Sequence, residues 1–443
     1  MPSAIFPCSS PPPPKKNGIT KLTNCRLVRG DSLVWDDVWV SPVTGKILRS
    51  QTAFYDELML PDQTIDLGGR IVSPGFIECQ LNGAFGFNFS TVLEDMSQYG
   101  KSVRDLNKRL VTTGVTSYIP TVTSQTSDLY HKVLPYLGPS GHSRSSDDGA
   151  ESLGAHVEGP FLNPAKNGVH NRAVLREARS FGDLEDMYGW SCNINPPPGG
   201  PTVKMITVAP ELGSSMTPTI IPELVSRGVI VSIGHSEATY EEASAAVAAG
   251  ATMITHLFNA MRPLHHRNPG IFGVLGGIAR PPFFGVIADG IHLHPTTIKI
   301  AWNAHPEGFI LVTDAMHMVG LADGVYEWTN GEGEHFIVKK GSVLHLQGSD
   351  TIAGSSITLI ECVNNFLNWS GATVPQAIKA VTATPAAMLG VQGIKGCLDA
   401  GADADLVILS ESERKEGEGV GGKMRELVVD EVWKFGARVF QRE

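Results

Sequence analysis

Through the middle of the chain, short apolar runs alternate with stretches of helical periodicity. The runs occupy residues 75–81, 116–121, 154–158, 204–208, 229–234, 252–255, 285–288 and 309–313. They are brief and mostly apolar on both faces, as strands buried in a parallel sheet must be. Between them, apolar positions recur at helical spacing, most clearly over 99–113, 217–227, 239–249 and 296–304, then over 356–369 and 375–389. Eight strand–helix alternations predict an α/β fold in which residues 73–394 form a (β/α)8 barrel.

The two ends read differently. β-like runs at 21–28, 34–40 and 64–67 are matched by runs at 404–408 and 427–440, the last two separated by a low-complexity stretch at 411–423. The termini are therefore expected to combine into one small β-sandwich domain, 18–72 with 395–443, into which the barrel is inserted. Residues 1–17, with Pro11 to Pro14 in a row, read as a disordered tail. Two Gly/Pro/Ser-rich stretches, 138–152 and 191–201, read as surface loop insertions.

Composition narrows the function. The chain has 443 residues, 42% of them hydrophobic, enough for one large core and a smaller one. Its net charge is −10 and no basic stripe breaks the balance, which excludes nucleic acid as a partner. An anionic substrate would need a local cationic pocket. The six cysteines show no CxxC spacing, so they are expected to be reduced thiols of a cytoplasmic protein. No apolar run has transmembrane length and the N-terminal stretch lacks a signal-peptide core, so no membrane association is expected. Asn-x-Ser matches at Asn88 and Asn368 are then chance occurrences. No GxxxxGK[ST] is present to cradle phosphates.

The informative feature is where polar residues fall. Gln80 and Asn82 end the first run, His156 and Glu158 the third, His235 the fifth, His256 the sixth, Asp289 and His292 the seventh, and Asp314 the eighth. A barrel builds its active site at that face. Taken singly, each has a plain structural reading: a hydrogen-bonded histidine, a turn residue at Glu158, a helix N-cap at Asp314. Taken together they resist it, because a buried His, Asp or Glu without a partner is costly. One carboxylate and two imidazoles, Glu158, His235 and His256, can converge on a divalent ion with an open coordination position. Asp314, from the eighth run, can face that ion and take a proton from its water.

At these residues the chain resembles the amidohydrolase superfamily and, within it, the N-acetylglucosamine-6-phosphate deacetylase family. The motifs that carry the resemblance are Pro74-Gly75-Phe76-Ile77, Gln80-Leu81-Asn82-Gly83, His156-Val157-Glu158-Gly159-Pro160, Gly168-Val169-His170-Asn171, Gly234-His235-Ser236, Thr255-His256-Leu257-Phe258-Asn259-Ala260-Met261, Asp289-Gly290-Ile291-His292, Thr313-Asp314-Ala315 and Ala353-Gly354-Ser355. The resemblance implies a hydrolytic deacetylase acting on N-acetyl-D-glucosamine 6-phosphate in amino-sugar catabolism, releasing D-glucosamine 6-phosphate and acetate. It implies Glu158, His235 and His256 as metal ligands, Asp314 as general base and then acid, and His170 as the group that polarises the acetamide carbonyl. Asn259, Ala260, Arg267 and His292 are implied to hold the sugar phosphate, and Val169, Ile352, Ala353 and Gly354 to line the sugar and acetyl pocket. It further implies a homodimer in which Arg267 reaches the neighbouring site.

The first run departs from the wider superfamily, which often carries His-x-His there and a bridging lysine later. Amides replace those imidazoles here and no lysine ends the fourth run, so one metal ion per subunit is expected: zinc, with iron, nickel, cobalt or manganese able to use the same donors. Two other readings are a D-aminoacylase-like or cyclic-amide hydrolase, which needs no phosphate grip, and a silent scaffold, which the intact ligand set opposes.

Overall fold

The computed structural model describes residues 18–189, 202–277, 279–328, 335–349, 352–415 and 423–443. The expected tail, 1–17, and the stretch 191–201 lie outside them. Eight parallel strands form the barrel: β1 (Phe76–Leu81), β2 (Val115–Val122), β3 (Ala155–Glu158), β4 (Val203–Val208), β5 (Ile230–Ile233), β6 (Met253–Ile254), β7 (Phe283–Ile287) and β8 (Phe309–Val312). Consecutive strands pair in order, and a two-residue strand, Glu151–Ser152, leads into β3 alongside β2. The barrel closes where β8 meets β1. There the Asp314 N–H donates to the Gln80 carbonyl at 3.0 Å and the Asn82 N–H to the Ala315 carbonyl at 2.9 Å.

Side-chain period two fills the lumen in layers. Ile77, Cys79, Ile119, Met205, Met253, Ile287, Ile310 and Val312 share an apolar cluster. Two residues further along their strands, Thr121, Thr207 and Thr255 join His156 in a buried polar layer: His156 Nε2 lies 2.7 Å from Thr207 Oγ1, which lies 2.8 Å from Thr255 Oγ1. Burial pushes His156 down to about 4, so it stays neutral near pH 7. Outside, the helices turn their apolar stripes to the sheet. In the helix Leu359–Ser370, Leu359, Cys362, Val363, Phe366 and Leu367 are buried at helical spacing, Thr358 and Glu361 form a capping box, and Gly371 ends it in the left-handed region.

The chain's two ends supply one eight-stranded sheet. The strand Ile71–Pro74 joins them, pairing with Thr20–Arg29 on one side and Leu406–Lys415 on the other. Leu22, Leu27, Val38, Val40, Val72, Leu406 and Trp433 lie in its core. The run 427–440 is two strands, Lys423–Lys434 and Ala437–Gln441, because Phe435 and Gly436 turn the chain at φ 46° and 78°. The pattern over 375–389 is likewise two helices, Val374–Lys379 and Ala383–Met388. Pro385 fits only a first helical turn, so the helix must restart before it. The sequence reading contained no hint of a four-stranded antiparallel sheet after β8: Gly324–Trp328, His335–Lys340, Val343–Leu346 and Ile352–Ser355. It packs Ile337, Leu344 and Ala353 onto Met316 and Met318, beside the barrel mouth.

A buried ion network joins the barrel to the terminal sheet. Lys395 contacts Glu151, Asp403 at 2.7 Å and Asp405 at 2.9 Å, and Lys434 contacts Glu151 and Asp405 at 2.8 Å. Glu151, Asp403 and Asp405 cluster as cation ligands do. The two ammonium groups already fill that role. Burial alone would lower the Lys395 pKa, but the three carboxylates outweigh it and hold the group protonated. Removing one partner of such a network strands buried charge, so Lys395→Met is expected to cost about 3–5 kcal/mol in urea unfolding. A loss below about 1 kcal/mol, typical of exposed pairs, would show that the network does not hold the two parts together.

Candidate active site

The ends of the barrel strands converge on a cavity of about 390 Å³ lined by Glu158, His170, His235, His256, Asp314 and Asn82 among others. Three of these residues follow β5, β6 and β8 in the left-handed region: His235 at φ 47°, His256 at 24° and Asp314 at 47°. L-residues avoid that region, and each such position costs about 1–3 kcal/mol. Each strained turn falls where a strand must stop and its last side chain enter the mouth.

Glu158 Oε1 lies 3.1 Å from His256 Nε2 and 3.3 Å from His235 Nε2, and the two nitrogens lie 3.1 Å apart. An ion held tetrahedrally at about 2.0–2.1 Å from each donor requires donor–donor edges of about 3.3 Å. The triangle therefore fits such an ion. Its charge balance asks for one too. Although burial opposes the charge, the adjacent imidazoles of His235 and His256 keep the Glu158 carboxyl well below its usual range. Burial alone would lower His256, yet Glu158 draws it up to about 9. The cluster recruits positive charge.

His170 Nε2 is 3.7 Å from Glu158 Oε2, close enough to belong to the same group by distance. Hydrogen-bond polarity separates it. The Ser124 backbone N–H donates to His170 Nδ1 at 3.1 Å, so in the neutral ring the proton sits on Nε2, facing the cavity. Burial pushes His170 down to about 3, which keeps the ring neutral. His235 is the reverse. Its Nδ1 lies 2.7 Å from the Lys166 carbonyl, which can only accept, so Nδ1 carries the proton and Nε2 presents a lone pair. His170 thus turns an N–H toward the cavity and His235 a lone pair. His256 Nδ1 is buried without a hydrogen-bond partner among the described residues.

Asp314 accepts from Asn82 Nδ2 at 2.8 Å, and burial with the nearby Glu158 charge raises it to about 6. Asp289 holds His292: its Oδ2 lies 2.6 Å from His292 Nδ1, and its Oδ1 accepts two backbone N–H groups. Of the residues expected from sequence, Val169, Asn259, Ala260, His292, Ile352 and Gly354 line the same cavity. Ala353 is buried behind it in the apolar core of the antiparallel sheet. Arg267 is not brought to this cavity; it is exposed, 3.1 Å from His266 Nε2. Sequence reasoning did not single out Ser124 and Lys166, which set the two imidazoles, or Thr123, Ile287, Ile291 and Met316 of the lining. Backbone donors and wall residues carry no sequence signal of their own.

A parallel barrel whose mouth gathers a carboxylate, two imidazoles and a further aspartate defines a metal-dependent hydrolase. The amidohydrolase family model matches residues 71–436. N-acetylglucosamine-6-phosphate deacetylase of Mus musculus is 41% identical over 92% of this chain and 95% of its own length. The Vibrio furnissii protein of the same name is 33% identical over 90% and 93%. Among solved structures, a mutant of the Mycobacterium smegmatis deacetylase in complex with N-acetyl-D-glucosamine-6-phosphate superposes with a TM-score of 0.74 at 26% identity, covering 96% of this chain and 99% of that one. The chain belongs to the amidohydrolase family and, within it, to the N-acetylglucosamine-6-phosphate deacetylases.

Beneath the site, the buried Glu78 Oε1 accepts the Gln80 N–H at 3.0 Å and the Thr313 N–H at 3.4 Å. Burial raises this carboxyl from 4.5 to about 8, despite those two donors. The folded state therefore holds the proton more tightly than the unfolded chain. The stability this contributes is full below pH 4.5 and is lost as pH rises through about 8. Glu78→Gln keeps an acceptor oxygen and removes the titration. Its Tm relative to the native chain should climb between pH 5 and pH 9; a difference that stays flat over that range refutes the assignment.

Proposed function

We propose that Glu158, His235 and His256 hold one divalent metal ion, zinc by donor type, and that Asp314 and His170 perform the proton and hydrogen-bond work of deacetylation. The chain is a metal-dependent deacetylase of N-acetylglucosamine 6-phosphate, releasing acetate and glucosamine 6-phosphate. The observation that carries the residue assignment is the 3.1–3.3 Å triangle of Glu158 Oε1, His235 Nε2 and His256 Nε2. A divalent ion there would acidify a water and polarise the acetamide carbonyl.

Asp314 takes a proton from the attacking water: it lines the cavity with the proposed ligands and is oriented by Asn82 Nδ2 at 2.8 Å. His170 donates from Nε2 to the oxygen on which negative charge develops. Asp314 then returns its proton to the amine as the C–N bond breaks. His292, held by Asp289, and Asn259 present donors for the sugar phosphate.

Among the described residues, neither lysine nor arginine lines the cavity. A phosphate in an acidic chain needs one, and Arg267 lies exposed within the chain segment that follows Asn259 and Ala260. The reading that fits is a homodimer in which Arg267 of the partner subunit completes the phosphate grip. We place the protein in the cytoplasm: the four described cysteines are free thiols, and no described helix is long and apolar enough to cross a membrane.

Three measurements test this reading. Asp314→Asn should keep bound metal and substrate affinity while turnover falls by about 10³-fold or more; near-native turnover would remove Asp314 from the mechanism. His235→Ala should lose metal in elemental analysis, whereas His170→Gln should retain it and still lose turnover; equal metal loss in both would make His170 a ligand. Mixing inactive Arg267→Ala and Asp314→Asn subunits should restore activity if the arginine serves the neighbouring site, and restore none if it serves its own.

A further inference from the structure

Two amides end β1 at the mouth, and no role in the reaction has yet been given to them. Gln80 Nε2 donates to Glu158 Oε1 at 3.1 Å, and Asn82 Nδ2 donates to Asp314 Oδ1 at 2.8 Å and contacts the Asp314 carbonyl at 3.3 Å. Both side chains are about 2% exposed. One amide therefore holds each of the two carboxylates in the proposed machinery. We infer that Gln80 and Asn82 are positioning residues, Gln80 for the metal-ligating carboxylate and Asn82 for the general base, doing with neutral donors what a second cation would otherwise do. The inference rests on the roles proposed above for Glu158 and Asp314.

The polarity of these bonds is determined. An ionised carboxylate only accepts, so each amide must turn its NH2 toward it. For Asn82 this leaves Oδ1 buried with no partner among the described residues. An unsatisfied buried acceptor costs stability, so the asparagine is not explained by packing alone. The backbone beneath is equally constrained. Gln80 accepts from the Asp314 N–H, Asn82 donates to the Ala315 carbonyl, and Glu78 takes the N–H groups of Gln80 and Thr313. Amides and base are set in one strip across the β1–β8 seam. The strip gives Asp314 a single orientation, and proton transfer depends on orientation before it depends on pKa.

A purely structural role and a positioning role predict different outcomes. In the full-length, metal-loaded protein, Asn82→Leu should lower kcat by about 10²-fold on N-acetylglucosamine 6-phosphate. KM should stay within about threefold and metal content should be unchanged, whatever Tm is lost by leaving Asp314 without its donor. If that variant does not fold, Asn82→Ser, too short to reach Asp314, tests the same bond. Gln80→Leu should instead weaken metal retention by about 10–100-fold in chelator competition, with no need to measure turnover. The inference is overturned if Asn82→Leu keeps kcat within twofold of native. It is equally overturned if kcat, metal content and Tm fall together, or if Gln80→Leu holds metal as tightly as native. Asp314→Asn run alongside separates the two levels: an inactive Asp314→Asn beside a native-like Asn82→Leu defeats this inference alone, whereas an active Asp314→Asn defeats the base assignment and takes this inference with it.

Discussion

A buried carboxylate must find positive charge or hydrogen bonds, and Glu158 at the barrel mouth is where this protein meets that demand. The side chain is about 2% exposed and lies within 3.3 Å of two imidazole nitrogens and an amide. These partners come from β1, β5 and β6, far apart in the chain. Only a closed parallel barrel brings three such strand ends to one point. The fold can thus be read as a device for surrounding one carboxylate. The strain at His235, His256 and Asp314 is local evidence of it: the backbone adopts left-handed turns at three strand ends, β5, β6 and β8, so that those side chains face inward.

Electrostatics then divides labour among similar groups. His170 and His235 have rings 4.5 Å apart, yet opposite hydrogen-bond partners at Nδ1 turn an N–H of one and a lone pair of the other to the cavity. Neither distance nor residue type distinguishes them. The Ser124 N–H and the Lys166 carbonyl do, and both are backbone groups. Glu158 and Asp314 diverge in the same way. Glu158 is held ionised by histidines, while Asp314, partly buried, has one amide and a neighbouring negative charge, and its carboxyl rises to about 6. Two carboxylates with separated pKa values are what distinct ligand and acid–base roles require.

Much of this was legible in the chain because barrels write their chemistry at strand ends. Glu158, His235, His256 and Asp314 each terminate an apolar run, and the structure gathers all of them in one cavity. The barrel strands were visible for a related reason: each is too short and too apolar to be anything but buried. The antiparallel sheet after β8 was not visible. Its strands are short, four to six residues each, and its core is borrowed from Met316 and Met318 of the loop that precedes it. The hairpin at Phe435–Gly436 was hidden because apolar alternation continues across a turn that only a left-handed pair reveals. Arg267 marks a different limit. The family resemblance implied a phosphate contact for it, but within this chain the residue is exposed and outside the cavity.

The amides of β1 also bear on why one ion should suffice. In a site with two dications, each carboxylate is flanked by metal charge, and a nearby dication pulls an aspartate's pKa down steeply. A base so depressed would accept a proton poorly near neutral pH. Gln80 and Asn82 offer the carboxylates hydrogen bonds without a full positive charge. Asp314 is then oriented by a neutral donor, and burial raises its proton affinity. If Asp314 is the base, as proposed, an amide at Asn82 orients it without adding a second positive charge beside it.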